Sequence, residues 1–174
     1  RLNIELIVNE LYETTNNIYS AWLARPYVKD KEFILINGDD IFHKDVLKRI
    51  LHCEGNCAAI DETLPVKSDA MRVNINENGC LTAIGKDLSD DITCGNAIGV
   101  YKFTREGGDL FFNSIKELLD IGKSNVFYLA AVDRVLSKLN LKAVYVGDLP
   151  WAEIDFPEDI PLAIEVAEKL MNSK

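Results

Sequence analysis

The sequence predicts an α/β fold built on a doubly wound, mostly parallel sheet, and three observations lead to this fold class. Short apolar runs, too brief for helices, recur along the chain as expected for strands that are covered on both faces. Amphipathic helical stretches alternate with these runs, and that order favours right-handed crossovers. A period-two stretch at residues 70–76, a Glu77-Asn78-Gly79 turn and a returning run at residues 80–84 add a β-hairpin insert.

Composition restricts the class of protein further. The chain has 174 residues, of which 48% are hydrophobic and 27% charged, and this suits one globular domain over residues 1–174. A formal net charge of −9 argues against a broad surface for a nucleic-acid backbone. No apolar segment approaches the roughly 20 residues of a membrane helix, and no leader opens the chain. We therefore expect a cytoplasmic protein without nucleic-acid or membrane partners.

The four cysteines predict reduced, structural thiols. Cys53, Cys57, Cys80 and Cys94 are too few and too scattered for a disulfide framework. Cys53 and Cys57 beside His52 leave zinc open as an alternative, but no second pair follows at ligand spacing.

The elements follow from local pattern. Apolar runs predict the strands, helical spacing of apolar residues predicts the helices, and Pro26 is expected to end the first helix. In chain order we expect a strand at 4–8, a helix from 18 to about 25, a strand at 33–36, a helix from 44, a strand at 57–60, the hairpin at 70–84, a strand at 95–103, helices at about 108–121 and 126–139, a strand at 141–146, and a helix from 157 to about 171.

The first candidate site follows the buried strand at residues 33–36. The strand stops at Asn37-Gly38-Asp39-Asp40, which is a turn composition. Two carboxylates therefore lie just past the carboxyl end of a central strand, where open α/β sheets bind their ligands. A metal ion fits this position. The alternative is that Asp39 or Asp40 only caps the helix that starts near Lys44.

A second acidic group lies near the end of the chain. In extended backbone Glu153 and Asp155 point to one side, while Ile154 faces the core. Glu158 and Asp159 are explained as first-turn residues of the last helix. Glu153 and Asp155 have no such simple explanation, so metal ligation and a solvated surface both remain open.

Two further features allow a ligand without requiring one. Polar residues 12–20 precede the first helix and could bind a ligand's polar edges or only cap that helix. Gly95 and Gly99 in the strand at 95–103 could admit a ligand or only relieve crowding.

The ordered set of these motifs resembles the sugar-phosphate nucleotidyltransferases. Within that family it is most similar to the phosphocholine and inositol-phosphate cytidylyltransferase branch, where residues 15–20 also have a counterpart. The likeness covers nearly the whole chain, and no single motif in it is specific. It is carried by the Gly38-Asp39 turn, Ser68-Asp69-Ala70-Met71 at the start of the hairpin, Ile84 and Lys86, Ile98-Gly99, and the closing Glu153-Ile154-Asp155 with Pro157-Glu158-Asp159.

The resemblance implies a Rossmann-like sheet of the nucleotide-diphospho-sugar transferase type and a Mg²⁺-dependent enzyme. Its reaction would transfer a nucleotidyl group, CMP from CTP, to a phosphorylated small alcohol or sugar such as phosphocholine, with release of pyrophosphate. The resemblance assigns Asp39 and Asp155 to the metal, with Glu153 beside them. It assigns Asn17, Ser20 and Gly38 to the nucleotide, and Asp69 and Lys86 to the acceptor pocket, with Lys86 among the catalytic residues.

One departure from the family pattern changes these expectations. The family's glycine-rich triphosphate loop has no counterpart in the sequence, which matches the family only from its third strand onward. We therefore expect an N-terminally truncated fold, exposed strand edges that favour a homo-oligomer, and turnover by these residues alone near background. Two other functions remain open: a metal-dependent nucleotide-sugar glycosyltransferase, and a non-catalytic, oligomerising fragment of the same fold.

Overall fold

The computed structural model describes residues 4–63, 65–66 and 69–172. This part of the chain contains six α-helices and eight strands. Their bounds are α1 Asn17–Val28, β1 Phe33–Ile36, β2 Asp40–Phe42, α2 Lys44–His52, β3 Cys57–Asp61, β4 Arg72–Ile75, β5 Leu81–Gly85, β6 Gly95–Phe103, α3 Arg105–Asp120, α4 Leu129–Asp133, α5 Leu136–Leu139, β7 Lys142–Tyr145, β8 Trp151–Glu153 and α6 Ile160–Asn172, with a short 3₁₀ turn at Pro157–Asp159 before α6.

The central sheet has the order β5-β4-β6-β3-β7. β1 also pairs with β6, on the same edge as β4 but further along that strand. β1, β3 and β4 all run antiparallel to β6, and β7 runs parallel to β3. Four of the six strands in this sheet thus point the same way, and the reversed β6 between them makes most hydrogen-bonded pairs antiparallel. The predicted α/β fold class with a β-hairpin insert is confirmed. The reversed direction of β6 was not predicted from the sequence.

Helices cover both faces of the sheet, as expected for a doubly wound fold. On one face α1, α3 and α4 pack around Tyr101, Phe103 and Phe111. On the other face α2 buries Val46 and Ile50 against β3 and β6. Because both faces are covered, nearly all of β6 and most of β3 are buried, which explains why their sequences are mostly apolar.

A separate two-stranded ribbon joins a segment in the first quarter of the chain to a segment near its end. β2 pairs antiparallel with β8, so that Asp40 lies opposite Glu153 and Phe42 opposite Trp151. α6 packs on this ribbon through Ala163 and Val166, which bury Ala152. This ribbon brings the two acidic segments together.

The predicted strand at residues 4–8 is wrong. These residues form no strand, and Ile4 and Leu6 are 80% and 85% exposed. A strand needs a neighbour to accept its backbone hydrogen bonds, and none of the described strands pairs with this segment.

Two helix boundaries and one helix cap also differ from prediction. Pro26 lies inside α1, because it falls in the last turns and Lys29 still donates to the Arg25 carbonyl. The helix predicted at residues 126–139 is two short helices, since Val135 leaves the helical region at φ −119°. α2 is capped by His43, whose Nδ1 accepts from the Asp45 amide, so the capping alternative for Asp39 and Asp40 is wrong.

Ser68 and Lys67, which belong to the start of the predicted hairpin insert, lie outside the described residues. All four cysteines are free. Among the described helices, none is both long and apolar enough to cross a membrane.

Candidate functional site

Three carboxylates from two segments that are far apart in the sequence meet in one cluster. Asp39, Glu153 and Asp155 each offer an oxygen, and these oxygens all lie within 4.8 Å of one another. The structure thus brings together Asp39, Asp155 and Glu153, the three residues that the family resemblance places at or beside the metal. We call these three residues the acidic cluster.

The backbone around the acidic cluster is held by the β2–β8 ribbon. The Ile154 amide donates to the Asp39 carbonyl at 3.1 Å, directly beyond the Asp40–Glu153 pair. The Asp159 side chain accepts from the amides of Asp155 and Phe156 at 3.1 and 2.9 Å. Backbone hydrogen bonds therefore hold both Asp39 and Asp155 in place, although both side chains are exposed.

Asp40, the second carboxylate of the predicted turn, adds a fourth carboxyl group beside the acidic cluster. Both of its oxygens are buried, and neither has a hydrogen-bond partner among the described residues. Burial first, and then the charges of Glu153, Asp39 and Asp155, raise the pKa of Asp40 to about 8. Burial and the neighbouring Asp155 also raise the pKa of Glu153. Negative charge is concentrated here without enough local compensation.

Gly99 allows Asp40 to occupy this position. Gly99 has φ +73°, at the point where β6 passes from β4 to β1. A Cβ at Gly99 would lie 1.9 Å from Asp40 Oδ2 and 2.7 Å from Asn37 Nδ2. Of the two readings left open for this glycine, the structure therefore favours close packing against two side chains of the turn.

The residues of the acidic cluster fit a hard divalent cation. All three donors are carboxylate oxygens, the donor type that Mg²⁺ prefers, and they come from the turn after β1 and from the end of β8. A divalent cation would also offset the crowding that raises the pKa values of Asp40 and Glu153. Asp39, Glu153 and Asp155 would hold it.

A cleft of about 520 Å³ opens on one side of the acidic cluster, between α1 and β1. This α1–β1 cleft has apolar walls, including Ala21, Ala24 and Phe112, and a polar rim formed by Asn17, Ser20, Asn37, Gly38 and Asp39. The three residues predicted to contact a nucleotide, Asn17, Ser20 and Gly38, thus line one cavity with Asp39.

Two of these predicted residues already have partners. Asn17 Oδ1 accepts from the Tyr128 amide at 2.8 Å, and Ser20 Oγ accepts from Asn9 Nδ2 at 3.1 Å. Their remaining donors and lone pairs are available to a ligand.

A pocket of about 260 Å³ opens on the other side of the acidic cluster, along β8. Glu153, Asp155 and Asp69 line this β8 pocket, together with Trp151 and Asn96. The Trp151 indole donates to Asp61 Oδ2 at 2.9 Å, which fixes the ring as a wall. Asp69, predicted near an acceptor, therefore shares a cavity with two members of the cluster.

Lys86 lies in a different cavity from Asp69. It lines a pocket of about 520 Å³ beside the hairpin with Asn16 and Phe127, and its Nζ is 5.2 Å from the Phe127 ring centroid. Its charge nevertheless reaches the acidic cluster, because Lys86 opposes the upward shift of the Glu153 pKa.

The sequence analysis missed Asn37 and Tyr128. Tyr128 Oη donates to Asn37 Oδ1 at 2.7 Å, directly before the Gly38-Asp39 turn. An asparagine at the end of a buried strand was the available signal for Asn37. Nothing in the sequence around Tyr128 indicates this contact.

The fold and the site define an α/β domain whose acidic cluster lies past the carboxyl end of β1, between two cavities. No protein-family model matches the chain. One curated relative is the bifunctional IPC transferase and DIPP synthase of Rubrobacter xylanophilus. It is 26% identical over an alignment of 176 residues, and this alignment covers 95% of the chain and 36% of the relative. The chain therefore spans about a third of that protein.

Solved structures of nucleotidyltransferases share the fold. The inositol-1-phosphate CTP transferase from T. maritima has a TM-score of 0.74 at 22% identity, over 95% of this chain and 66% of that one. A putative glucose-1-phosphate thymidylyltransferase from Bacillus anthracis has a TM-score of 0.69 at 15% identity, over 92% of this chain and 63% of that one. The CTP:phosphocholine cytidylyltransferase from Streptococcus pneumoniae has a TM-score of 0.64 at 16% identity, over 91% of this chain and 67% of that one. The predicted resemblance to the sugar-phosphate nucleotidyltransferases is confirmed.

Proposed function

We propose that the chain takes part in Mg²⁺-dependent nucleotidyl transfer, in which CMP from CTP passes to a phosphorylated small alcohol or sugar and pyrophosphate is released. One observation carries this proposal: the acidic cluster stands between two cavities and contributes to both. Asp39 lines the α1–β1 cleft, whereas Glu153 and Asp155 line the β8 pocket. Such an arrangement suits a reaction that joins two phosphate-bearing substrates across one cation.

The chemistry explains why carboxylates are needed there. An oxygen of the acceptor phosphate forms a bond to the α-phosphorus of the nucleotide, and the bond from that phosphorus to the pyrophosphate oxygen breaks. Mg²⁺, when bound, neutralises the negative charge that builds up on these oxygens. Asp39 and Asp155 would hold the ion, with Glu153 beside them. Lys86 lines a separate pocket, so its positive charge would act on the acceptor phosphate from a distance.

The two cavities suggest the sides on which the substrates bind. We assign the nucleotide to the α1–β1 cleft, where the amide of Asn17 and the hydroxyl of Ser20 meet an open space beside Gly38. We assign the acceptor to the β8 pocket with Asp69. CTP is favoured because one of the similar structures is a CTP transferase and another a CTP:phosphocholine cytidylyltransferase.

Calorimetric titration of MgCTP into the wild-type chain and into Asp155→Asn tests the proposal. We expect binding to the wild type that weakens about tenfold or more in the variant, because a cation ligand is lost. UTP, ATP, GTP and TTP titrated in parallel test the choice of base. Heat in neither protein would contradict the proposal and favour a non-catalytic fragment.

Product analysis separates the remaining alternative. Pyrophosphate formed from CTP and phosphocholine or inositol phosphate indicates nucleotidyl transfer, whereas sugar transfer from a nucleotide sugar indicates a glycosyltransferase. For these 174 residues alone we keep the expectation that turnover is near background. The cytoplasmic location also stays a prediction from sequence.

We also propose that the free edge of β1 pairs with a strand of a second copy of the chain. Asn37 N donates to the Gly99 carbonyl, so in the alternating antiparallel pattern the backbone groups of Ile34 and Ile36 point away from β6. None of the described strands lies on that side. The same chain carries an exposed apolar segment at residues 4–8. An unpaired edge beside an apolar cleft invites strand addition.

A further inference from the structure

We propose that Tyr128 is a positioning residue that holds the Asn37-Gly38-Asp39-Asp40 turn in its cation-binding arrangement through the side chain of Asn37. This inference rests on the proposed function, since it concerns the cation that Asp39 would hold. Tyr128 is not near the turn in the sequence, and it touches none of the three residues of the acidic cluster through a hydrogen bond.

The turn has two backbone anchors and one side-chain anchor. The Asn37 amide donates to the Gly99 carbonyl at 2.9 Å, and the Asp39 carbonyl accepts from the Ile154 amide at 3.1 Å. The side-chain anchor is the 2.7 Å bond from Tyr128 Oη to Asn37 Oδ1. Because this bond occupies Oδ1, it also fixes which end of the carboxamide faces Gly99, where Nδ2 lies in close packing.

Tyr128 is buried and packed against two rings, so it can act as a fixed point. Its side chain is 3% exposed, and its ring meets Tyr101 and Phe111 edge-on, with centroid distances of 6.0 and 6.2 Å. Its backbone amide donates to Asn17 Oδ1 at 2.8 Å. Tyr128 thus ties the start of α1 and the turn after β1 to the same point in the core, and both segments border the α1–β1 cleft.

The hydroxyl, not the ring, makes the link to the turn. Replacing Tyr128 by Phe keeps the ring contacts and leaves Asn37 Oδ1 without its donor, so the turn can adopt other arrangements. A cation then binds only those molecules whose turn has the competent arrangement. Its apparent affinity is reduced in proportion to the fraction of molecules that have this arrangement. A purely structural hydroxyl would lower stability and leave the affinity of the folded protein unchanged.

Tyr101 offers a matched control. Its ring meets the Tyr128 ring edge-on at a centroid distance of 6.0 Å, it is also buried, and its hydroxyl makes no hydrogen bond to Asn37 or to the rest of the turn. Tyr101→Phe removes one buried hydroxyl from the same part of the core without removing an anchor of the turn.

The test measures Mn²⁺ affinity by calorimetry at a temperature where circular dichroism shows every variant fully folded. We expect Tyr128→Phe to bind Mn²⁺ about tenfold more weakly than the wild type, at the lower end of the losses seen when outer groups that orient metal ligands are removed. Tyr101→Phe should stay within about twofold, as expected for a residue without a link to the turn. Adding Tyr128→Phe to Asn37→Ala should cause no further loss, because the two residues act through one bond.

The outcomes separate this inference from the proposed function. Equal Mn²⁺ affinity in wild type and Tyr128→Phe, or equal losses in both tyrosine variants, would overturn the positioning role while the metal site stands. A wild type that binds no Mn²⁺ would overturn the metal site itself, and the inference with it.

Discussion

Asp40 and Glu153 lie directly opposite each other in the β2–β8 ribbon, although one belongs to the first quarter of the chain and the other to its end. Like charges in directly opposed positions destabilise a strand pair, and here the burial of Asp40 increases the cost. The fold therefore carries an electrostatic penalty at the same place where it brings Asp39, Glu153 and Asp155 together. Penalties of this kind are common at functional sites.

Stability without metal should fall as the pH rises through the range set by Asp40. Its pKa is about 8 in the folded chain and 3.8 as the ordinary value, so between these values the folded state binds more protons than the unfolded state. Stability from the protonated carboxyl is then fully present below the ordinary value and is lost as the pH approaches 8. Asp40→Asn should flatten this dependence and raise the stability at pH 7 to 8.

Urea unfolding in EDTA at several pH values between 5 and 8 checks this expectation. Asp109→Asn is the control, because Asp109 is exposed on α3 and takes no part in the acidic cluster. A wild type and an Asp40→Asn variant with parallel pH curves would contradict it.

Divalent cations should stabilise the folded chain through the acidic cluster. A ligand that binds only the folded state adds RT ln(1 + [L]/Kd), about 2.7 kcal/mol at 100 times Kd. We expect Mg²⁺ or Mn²⁺ to raise the Tm of the wild type, and Asp39→Asn and Asp155→Asn to lose most of this rise. Thermal scans with increasing cation provide the measurement. The same rise in all three proteins would place the cation elsewhere, and Asp109→Asn again serves as the unaffected control.

Gly99→Ala should destabilise the protein more than Gly122→Ala. Both glycines have positive φ, +73° and +77°, so both substitutions carry a similar backbone strain of about 1–3 kcal/mol. Only at Gly99 would the new Cβ meet other atoms, since nothing lies within 4 Å of the corresponding point at Gly122. The difference between the two variants in urea unfolding isolates the contact with Asp40 and Asn37. Gly99→Ala should also weaken Mn²⁺ binding, whereas Gly122→Ala should not.

Local patterns predicted those parts of the molecule that depend on local physics. The strand at residues 95–103 has the predicted bounds, because a run buried on both faces leaves a continuous apolar signature. The hairpin was predictable for the same reason, since Asn78-Gly79 is a strong turn signal and Gly79 has φ +73°.

Long-range pairing could not be predicted from local patterns. The three residues of β2 leave no strand signature, and their partner β8 is distant in sequence, so the opposition of Asp40 and Glu153 was invisible. The antiparallel direction of β6 was hidden as well, because burial on both faces looks the same in either direction. The segment at residues 4–8 has strand-like composition and no partner, which shows that composition alone does not create a strand.

Self-association through the free edge of β1 should depend on Ile36. Ile36 is the most exposed residue of β1, and its backbone groups point to the open side. We expect the mass of the wild type from light scattering to rise with concentration, and Ile36→Lys to shift it towards the monomer, because a charged side chain on an edge strand opposes strand addition. Ile121→Lys is the matched control, since Ile121 is also exposed but follows α3. A wild type that stays monomeric at every concentration would contradict pairing with a second copy, and an equal effect of both lysine variants would trace association to general surface hydrophobicity instead of the β1 edge.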